Sequence, residues 1–460
     1  MHTSASRTQD RSRRAWLLLG VAAFAGGFQI AYVGWLNPVF GYFGFGNNDP
    51  SWRYLLLAWT LSVLPGLWMP IHLTRPSQLI YWVIFLSVYV PSMFVPLYAS
   101  LDGPAAVVKM LLTLFVGLFI LGLAHRLPPR QLHPPRLSPG AFRAGFGWAA
   151  AALVLWVVVV FHGRLQIVSF AEVYDVRFAA EDVMEGSLVN YALMWLTAVI
   201  GPCLLVWGLF RRRPLLFAAG GLIQLLVYGA VGAKAALASL VVIPFFYLLL
   251  RKNTAAFGLK LVWGTALAFF LLYLGRSWGD ASENLFYWAL SLVFMRTFGM
   301  PGLLTEWYRE FFQRNPLTYY SHLKVVNSFL HYPYANPLGI EVGWFFSGEP
   351  TLDANAHFWA TDGLAALGLP GVVLVSVLCA LLFWALDSAA AKHDVRFSAL
   401  LVSFAAINLA NVSMFTTLLS GGLGLLMLVL YCQPTVSWPA PQARVKLRPC
   451  LAPGPPPATS

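Results

Sequence analysis

Long apolar runs, each about as long as a bilayer is thick, set the terms for this chain. They cover roughly 15–36, 53–70, 78–98, 105–124, 144–161, 188–210, 214–231, 235–250, 257–275, 364–388, 397–415 and 418–433. A helix of about 20 apolar residues crosses a hydrocarbon core. Backbone groups in lipid must be bonded within the protein, by helices or by a closed barrel. Barrel strands alternate apolar and polar residues; these runs do not. Only 10% of the residues are charged, where a soluble domain carries about 25%, so most side chains never meet water. The expected fold is all-α: a polytopic integral membrane helix bundle of about 12 transmembrane helices, with a large, partly helical outer loop.

Charge orients that bundle. With the N-terminus inside, 20 of the 30 Lys and Arg residues fall on the cytoplasmic side and 15 of the 18 acids on the other. The positive-inside rule then places both termini in the cytoplasm. The net charge of +12 reflects topology, and nucleic acid is not an expected partner. Arg11, Arg13 and Arg14 precede the first apolar run without a clean small-residue cleavage site, so this reads as an uncleaved first span. Cys203, Cys379 and Cys432 sit in apolar runs and Cys450 in the tail, so no disulfide framework is expected in the polar loops.

The chain divides into a cytoplasmic segment 1–14, nine helices over 15–275, an outer loop 276–363, three helices over 364–433 and a disordered cytoplasmic tail 434–460. A Pro-rich basic loop at 125–143 separates two halves of the bundle and reads as an orientation signal beside anionic lipid. A smaller outer segment, 162–187, has capping-box spacing at Ser169 and Glu172, then Phe170, Val173, Tyr174 and Phe178 at helical spacing. It reads as an amphipathic helix on the membrane surface.

Most of the reactive side chains fall in 276–363, which holds eight acids and five basic residues. Within it, 285–298 is apolar but too short to span, and reads as a re-entrant or interfacial helix. In 302–314, Leu304, Trp307, Tyr308, Phe311 and Phe312 line one face, and Glu306, Arg309, Glu310 and Arg314 the other. No Walker loop, G-x-S-x-G or H-E-x-x-H is present. His322 and His331 lack the cysteine or acidic partners of a metal site, so neither a metal nor a cofactor is expected.

Cations against the charge bias point to an anionic ligand. Arg164, Arg177, Lys234, Arg276, Arg296, Arg309, Arg314 and Lys324 lie on or near the outer face. Each by itself reads equally as an ion pair, a snorkelling side chain or a headgroup contact. Together they suit a lipid-linked phosphate, which a guanidinium fork bonds through two oxygens. His322, His357, Glu341, Asp353 and Asp362 are the candidates for proton transfer. Trp344, Phe345, Phe346, Phe358 and Trp359 are sugar-stacking candidates, or equally an interfacial aromatic belt.

The layout of many spans with one long outer loop near the C-terminal end resembles the Wzy-type O-antigen and exopolysaccharide repeat-unit polymerases. The closest-looking stretches are Tyr332-Pro-Tyr-Ala-Asn-Pro-Leu-Gly339, Asn355-Ala-His-Phe-Trp-Ala-Thr-Asp-Gly363 and Gly368-Leu-Pro-Gly371. Arg75-Pro-Ser77 with Pro91-Ser92, and Val173-Tyr-Asp-Val-Arg177, are similar too. The resemblance implies a metal-independent, inverting glycosyltransferase of polysaccharide or lipopolysaccharide biosynthesis in the bacterial inner membrane. It would join undecaprenyl-diphosphate-linked repeat units, donor and acceptor alike, at the periplasmic face, with membrane lipid as its surroundings. A chain-length regulator is left open as a further partner. By type and place, Arg177, Arg276 and Arg296 match the family's diphosphate-holding arginines, with Lys234 and Arg164 beside them. His322, His357 and Asp362 are the expected catalytic groups, and Trp344, Trp359, Glu341 and Asp353 the expected sugar contacts. An O-antigen ligase shares the layout and the donor, and a lipid-linked glycan flippase is the rival from another class.

Overall fold

The computed structural model describes residues 2–133, 137–166, 188–276 and 285–436. The tail from 437 and most of the expected surface helix at 162–187, with Arg177, lie outside the described residues.

Every regular element among the described residues is helical. In chain order these are α1 Asp10–Phe43, α2 Trp52–Val63, α3 Ser77–Ala99, α4 Pro104–Arg126, α5 Pro139–Val160, α6 Val189–Arg211, α7 Pro214–Val231, α8 Lys234–Leu250, α9 Phe257–Gly275, α10 Met300–Arg314, α11 Leu338–Ser347, α12 Trp359–Ala390, α13 Val395–Leu409 and α14 Met414–Cys432. Helical turns at Leu285–Leu290 and Ser291–Gly299 lead into α10. Nine of the described helices are long and apolar enough to cross a membrane. The twelve expected runs each overlap a helix, but α2, α8 and α13 are shorter than the rest, and the runs at 53–70, 397–415 and 418–433 also take in non-helical turns. Pro65 and Gly66 tighten the chain just after α2, and Gly232, at φ 62°, ends α7 two residues before α8 begins.

Burial separates the centre of the bundle from its rim. α3 is 94% buried over its most apolar window, while α5 is 6% buried. Trp82, Tyr81, Phe85, Tyr89 and Phe94 of α3 fill the middle. Trp148, Leu155 and Val159 of α5 face outward, as suits a helix bordered by lipid.

Local hydrogen bonds fix the two ends of the bundle. At the basic end, Arg14 Nη1 donates to Gly66 O at 2.9 Å and Met69 O at 2.6 Å, and Arg75 Nη1 donates to Leu127 O at 2.6 Å. At the acidic end, Asn48 Nδ2 donates to Ser100 O, and Arg314 pairs with Asp102 at 2.6 Å.

α10 carries the two faces that its sequence pattern predicts, and both are covered. Residues 300–312 are all buried, polar ones included. Gly302 lets its backbone approach Pro91 O of α3. Arg309 is the hub of the polar side: its guanidinium meets Glu306 at 2.5 Å, Glu310 at 3.3 Å and Asp102 at 3.3 Å. Glu310 also accepts from Leu101 N at 2.6 Å. One cation thus serves several acids at a packed interface, which holds only because nearly every donor is used. Burial pushes Glu306 up to about 7 despite Arg309. Burial acts the same way on Asp102, but hydrogen bonds from Arg314 and Arg309 outweigh it and hold that carboxyl below its ordinary value.

α12 is not one straight rod. It breaks at Leu367 and at Gly368, whose φ 65° and ψ −146° only glycine adopts freely. Trp359 Nε1 donates to Ser376 Oγ at 2.8 Å, although 17 residues of unbroken helix would put them about 25 Å apart. Residues 359–366 therefore fold back, antiparallel, on 369–376. The close approach of Gly363 to Val372, and of Gly371 to Gly363 O, permits the hairpin. The Gly-Leu-Pro-Gly stretch at 368–371 is its bend.

Candidate active site

The hairpin presents Asp362 to the acidic end of the bundle. Two groups from the start of α14 hold the carboxylate: Ser413 Oγ donates to Oδ1 at 2.6 Å, and Met414 N to Oδ2 at 2.6 Å. Ser413 also caps that helix, accepting from Thr416 N at 3.3 Å. Asp362 is fully buried.

The loop after α10 brings a histidine to the same place. Thr318 N donates to Ala365 O at 2.9 Å and Tyr319 N to Ala366 O at 3.0 Å, so the loop is stitched to the hairpin. Tyr319 and Tyr320 then adopt φ of 48° and 65°, a left-handed conformation that bulky residues seldom take. It turns the chain so that His322 Nε2 lies 3.6 Å from Asp362 Oδ1.

Thr318 decides which imidazole nitrogen carries the proton. Its hydroxyl donates to Ala365 O at 3.0 Å, and a hydroxyl has one hydrogen to give. The 2.9 Å contact between Thr318 Oγ1 and His322 Nδ1 is therefore donated by Nδ1–H. In neutral His322, Nε2 then carries the lone pair. Among the described residues Nε2 is buried and has no hydrogen-bond partner. A lone pair facing a carboxylate is unfavourable until a proton arrives there. The arrangement suits a base that takes a proton from a bound hydroxyl and shares it with a fixed negative charge.

His357 occupies different surroundings. Thr305 donates its hydroxyl to Pro301 O at 2.7 Å, so its 2.8 Å contact with His357 Nε2 is donated by the histidine. His357 is wholly buried between α10 and the hairpin, and its Nδ1 has no partner among the described residues. Trp359, an expected sugar platform, is likewise in the core, bonded to Ser376 and packed on Tyr89. Trp344 is half exposed at the end of α11. Glu341 accepts from Asn336 N at 2.8 Å and Nδ2 at 3.0 Å, so it braces the loop before α11. Asp353 accepts from Asn355 Nδ2 at 2.5 Å and sits against Gly339.

The expected phosphate-binding cations lie on several separate elements. Arg164 and Lys234 are exposed at one corner, where Gln166 N donates to Gly229 O at 3.0 Å. Arg276 folds back over the Tyr273 ring, 3.7 Å from its centroid, and donates to Tyr273 O at 2.5 Å. Arg296 is exposed on the run into α10. Arg177 lies outside the described residues. Among the described residues no three His, Cys, Asp or Glu side chains gather in metal-binding geometry.

Sequence reasoning missed Thr318, Tyr320, Ser413 and the Met414 amide. Ser413 carried a faint signal, a serine directly before an apolar run, but 51 residues separate it from Asp362. No family model, curated protein or solved structure matches the chain.

Proposed function

We propose that this protein is a glycosyltransferase that joins undecaprenyl-diphosphate-linked oligosaccharide repeat units at the outer face of the bacterial inner membrane. In this reading twelve helices cross the membrane, with α2, α8 and α13 as short or tilted spans. Both termini are cytoplasmic, in keeping with the distribution of Lys and Arg in the loops. The acidic end is then periplasmic.

The observation that carries the reading is the His322–Asp362 pair, a base with a free lone pair beside a fixed carboxylate. An acceptor hydroxyl attacks the anomeric carbon of the donor. Its proton passes to His322 Nε2, and the bond from the anomeric carbon to the diphosphate oxygen breaks. Lipid diphosphate leaves with that electron pair, and Asp362 stabilises the imidazolium. The outer cations neutralise the leaving group. A flippase needs ionisable groups along a path through the bundle, whereas this pair sits at one end.

Surface and lipid-linked glycans from cells lacking the gene, separated on gels, test the reading. Loss of the long-chain ladder, with single repeat units still reaching their normal acceptor, is expected. Wild-type protein restores the ladder; His322→Ala and Asp362→Asn, present at equal level in the membrane, do not. Single units piling up on the lipid at the inner face would make it a flippase. Full-length polymer held on the lipid carrier outside would make it a ligase.

A further inference from the structure

Besides Thr417 Oγ1 of α14 and His357 Nδ1, two buried polar atoms on the loop after α10 have no partner among the described residues: His322 Nε2 and Tyr320 Oη. They lie two residues apart on a loop stitched to the hairpin. Their rings are 6.1 Å apart and tilted by 34°, and Phe415 of α14 closes over the tyrosine edge-on at 5.9 Å. Burying a hydroxyl without a bond is costly, and the left-handed conformation of Tyr320 adds strain. A loop stitched so firmly to its neighbour need not hold both features unless a ligand uses them.

The two atoms differ in character. The Thr318 contact leaves Nε2 as an acceptor. Burial, then the charge of Asp362, push Tyr320 up to about 12, so it remains a phenol that donates. An acceptor and a donor on rings 6.1 Å apart match two adjacent oxygens, one giving its hydrogen and the other taking one. Neighbouring hydroxyls of a sugar ring have that pattern, each able to give or take a hydrogen.

We propose that Tyr320 Oη and His322 Nε2 together bind two neighbouring hydroxyls of one sugar ring, so that Tyr320 selects the acceptor. The hydroxyl on His322 is the one that reacts, and its neighbour is held by Tyr320. Both atoms are shut from solvent, so the site has to open to admit the sugar. Only the acceptor role rests on the glycosyl-transfer reading; the diol site stands on the two unpartnered atoms.

The test uses full-length protein in nanodiscs and a panel of methyl glycosides with their monodeoxy analogues. Saturation transfer from protein to sugar reads binding without turnover. At least one glycoside is expected to bind. Its transfer signal should fall about threefold or more when either of two adjacent hydroxyls is removed, and likewise in Tyr320→Phe and His322→Gln of unchanged melting temperature. In polymerisation assays Tyr320→Phe should raise the acceptor KM about tenfold and leave the donor KM alone. An acceptor lacking the neighbouring hydroxyl should lose about as much in wild type and nothing further in the variant. Polymerisation by wild type with no glycoside binding, or with binding and KM unchanged in Tyr320→Phe, overturns the diol site and leaves the polymerase reading standing. Binding that depends on Tyr320 in a protein that joins no repeat units keeps the site and removes that reading.

Discussion

α12 carries a buried aspartate near each end, and the two are built alike. Asp362 accepts a serine hydroxyl and a backbone N–H, from Ser413 and Met414. Asp387 accepts the hydroxyl of Ser77 at 2.7 Å and its N–H at 3.1 Å. Each has a histidine close by: His322 at 3.6 Å from Asp362, and His125, whose Nε2 meets Ser77 Oγ at 3.1 Å. The surroundings then diverge. Arg75 lies 3.9 Å from Asp387 and ties α4 down through Leu127 O. Among the buried polar atoms without a partner there is none from Ser77, His125 or Asp387. Near Asp362, both His322 Nε2 and Tyr320 Oη lack one. A fully satisfied cluster is a clamp, because it has no capacity left for a ligand. An unsatisfied one holds capacity in reserve, at a cost in stability that a clamp would not carry.

The largest expected effect separates the two histidines. His322→Ala should slow polymer formation by about 10²–10⁴-fold, the usual worth of a positioned base, with the melting temperature in detergent little changed. His125→Ala should leave turnover per folded molecule as it is. Equal losses of rate in both variants at equal membrane level would end the distinction.

Asp387→Ala should show the reverse pattern. It removes two hydrogen bonds to a charged acceptor and leaves Arg75 without its carboxylate, a loss of about 3 kcal/mol. The expected reading is a clear fall in melting temperature with specific activity retained. A variant as stable as wild type would mean that the basal cluster clamps nothing.

A pH profile of stability sharpens the contrast further. Burial raises Glu306 from 4.5 to about 7. Between those values the folded protein holds a proton there that the unfolded chain has released. Its stability therefore falls as pH rises from about 4.5 through about 7, by at most about 1.4 kcal/mol per pH unit. Glu306→Gln should flatten that slope without touching His322. Thermal melts of both proteins across the window decide it, and an unchanged slope would assign the pH dependence to another group.

How much of this was legible in the sequence follows from what each feature depends on. The apolar runs mark the helices because lipid leaves the backbone no alternative. His322 and Asp362 could be named because few titratable residues share the long loop and its border. Their pairing was not legible, since it depends on the hairpin at Gly368, which the run at 364–388 reads straight through. The burial of α10 was not legible for a related reason. Period analysis finds its polar face but cannot tell water from the Ser100–Asp102 turn, which lies some 200 residues away in the chain and meets that face with matching charge. Trp359 and His357 were named by residue type and by the resemblance of the stretch at 355–363, and the hairpin carries both into the core.

The smallest expected effect is the most direct comparison of the two aspartates. Ser413→Ala and Ser77→Ala each delete one hydroxyl that donates to a buried carboxylate. At Asp362 the Met414 amide remains, and the loss includes the helix cap, about 1 kcal/mol. The carboxylate is then free to swing toward His322, which changes how it supports the imidazolium. Ser413→Ala should therefore lower the rate severalfold and lower stability only slightly. At Asp387 the same deletion also strips His125 of its partner, while no reacting group depends on the result. Ser77→Ala should lower the melting temperature more than Ser413→Ala and leave the rate alone. Measured side by side, the pair of variants asks whether each serine acts through chemistry or through packing. If Ser77→Ala slows turnover as much as Ser413→Ala does, the two ends of α12 are coupled, and the basal clamp is part of the working site.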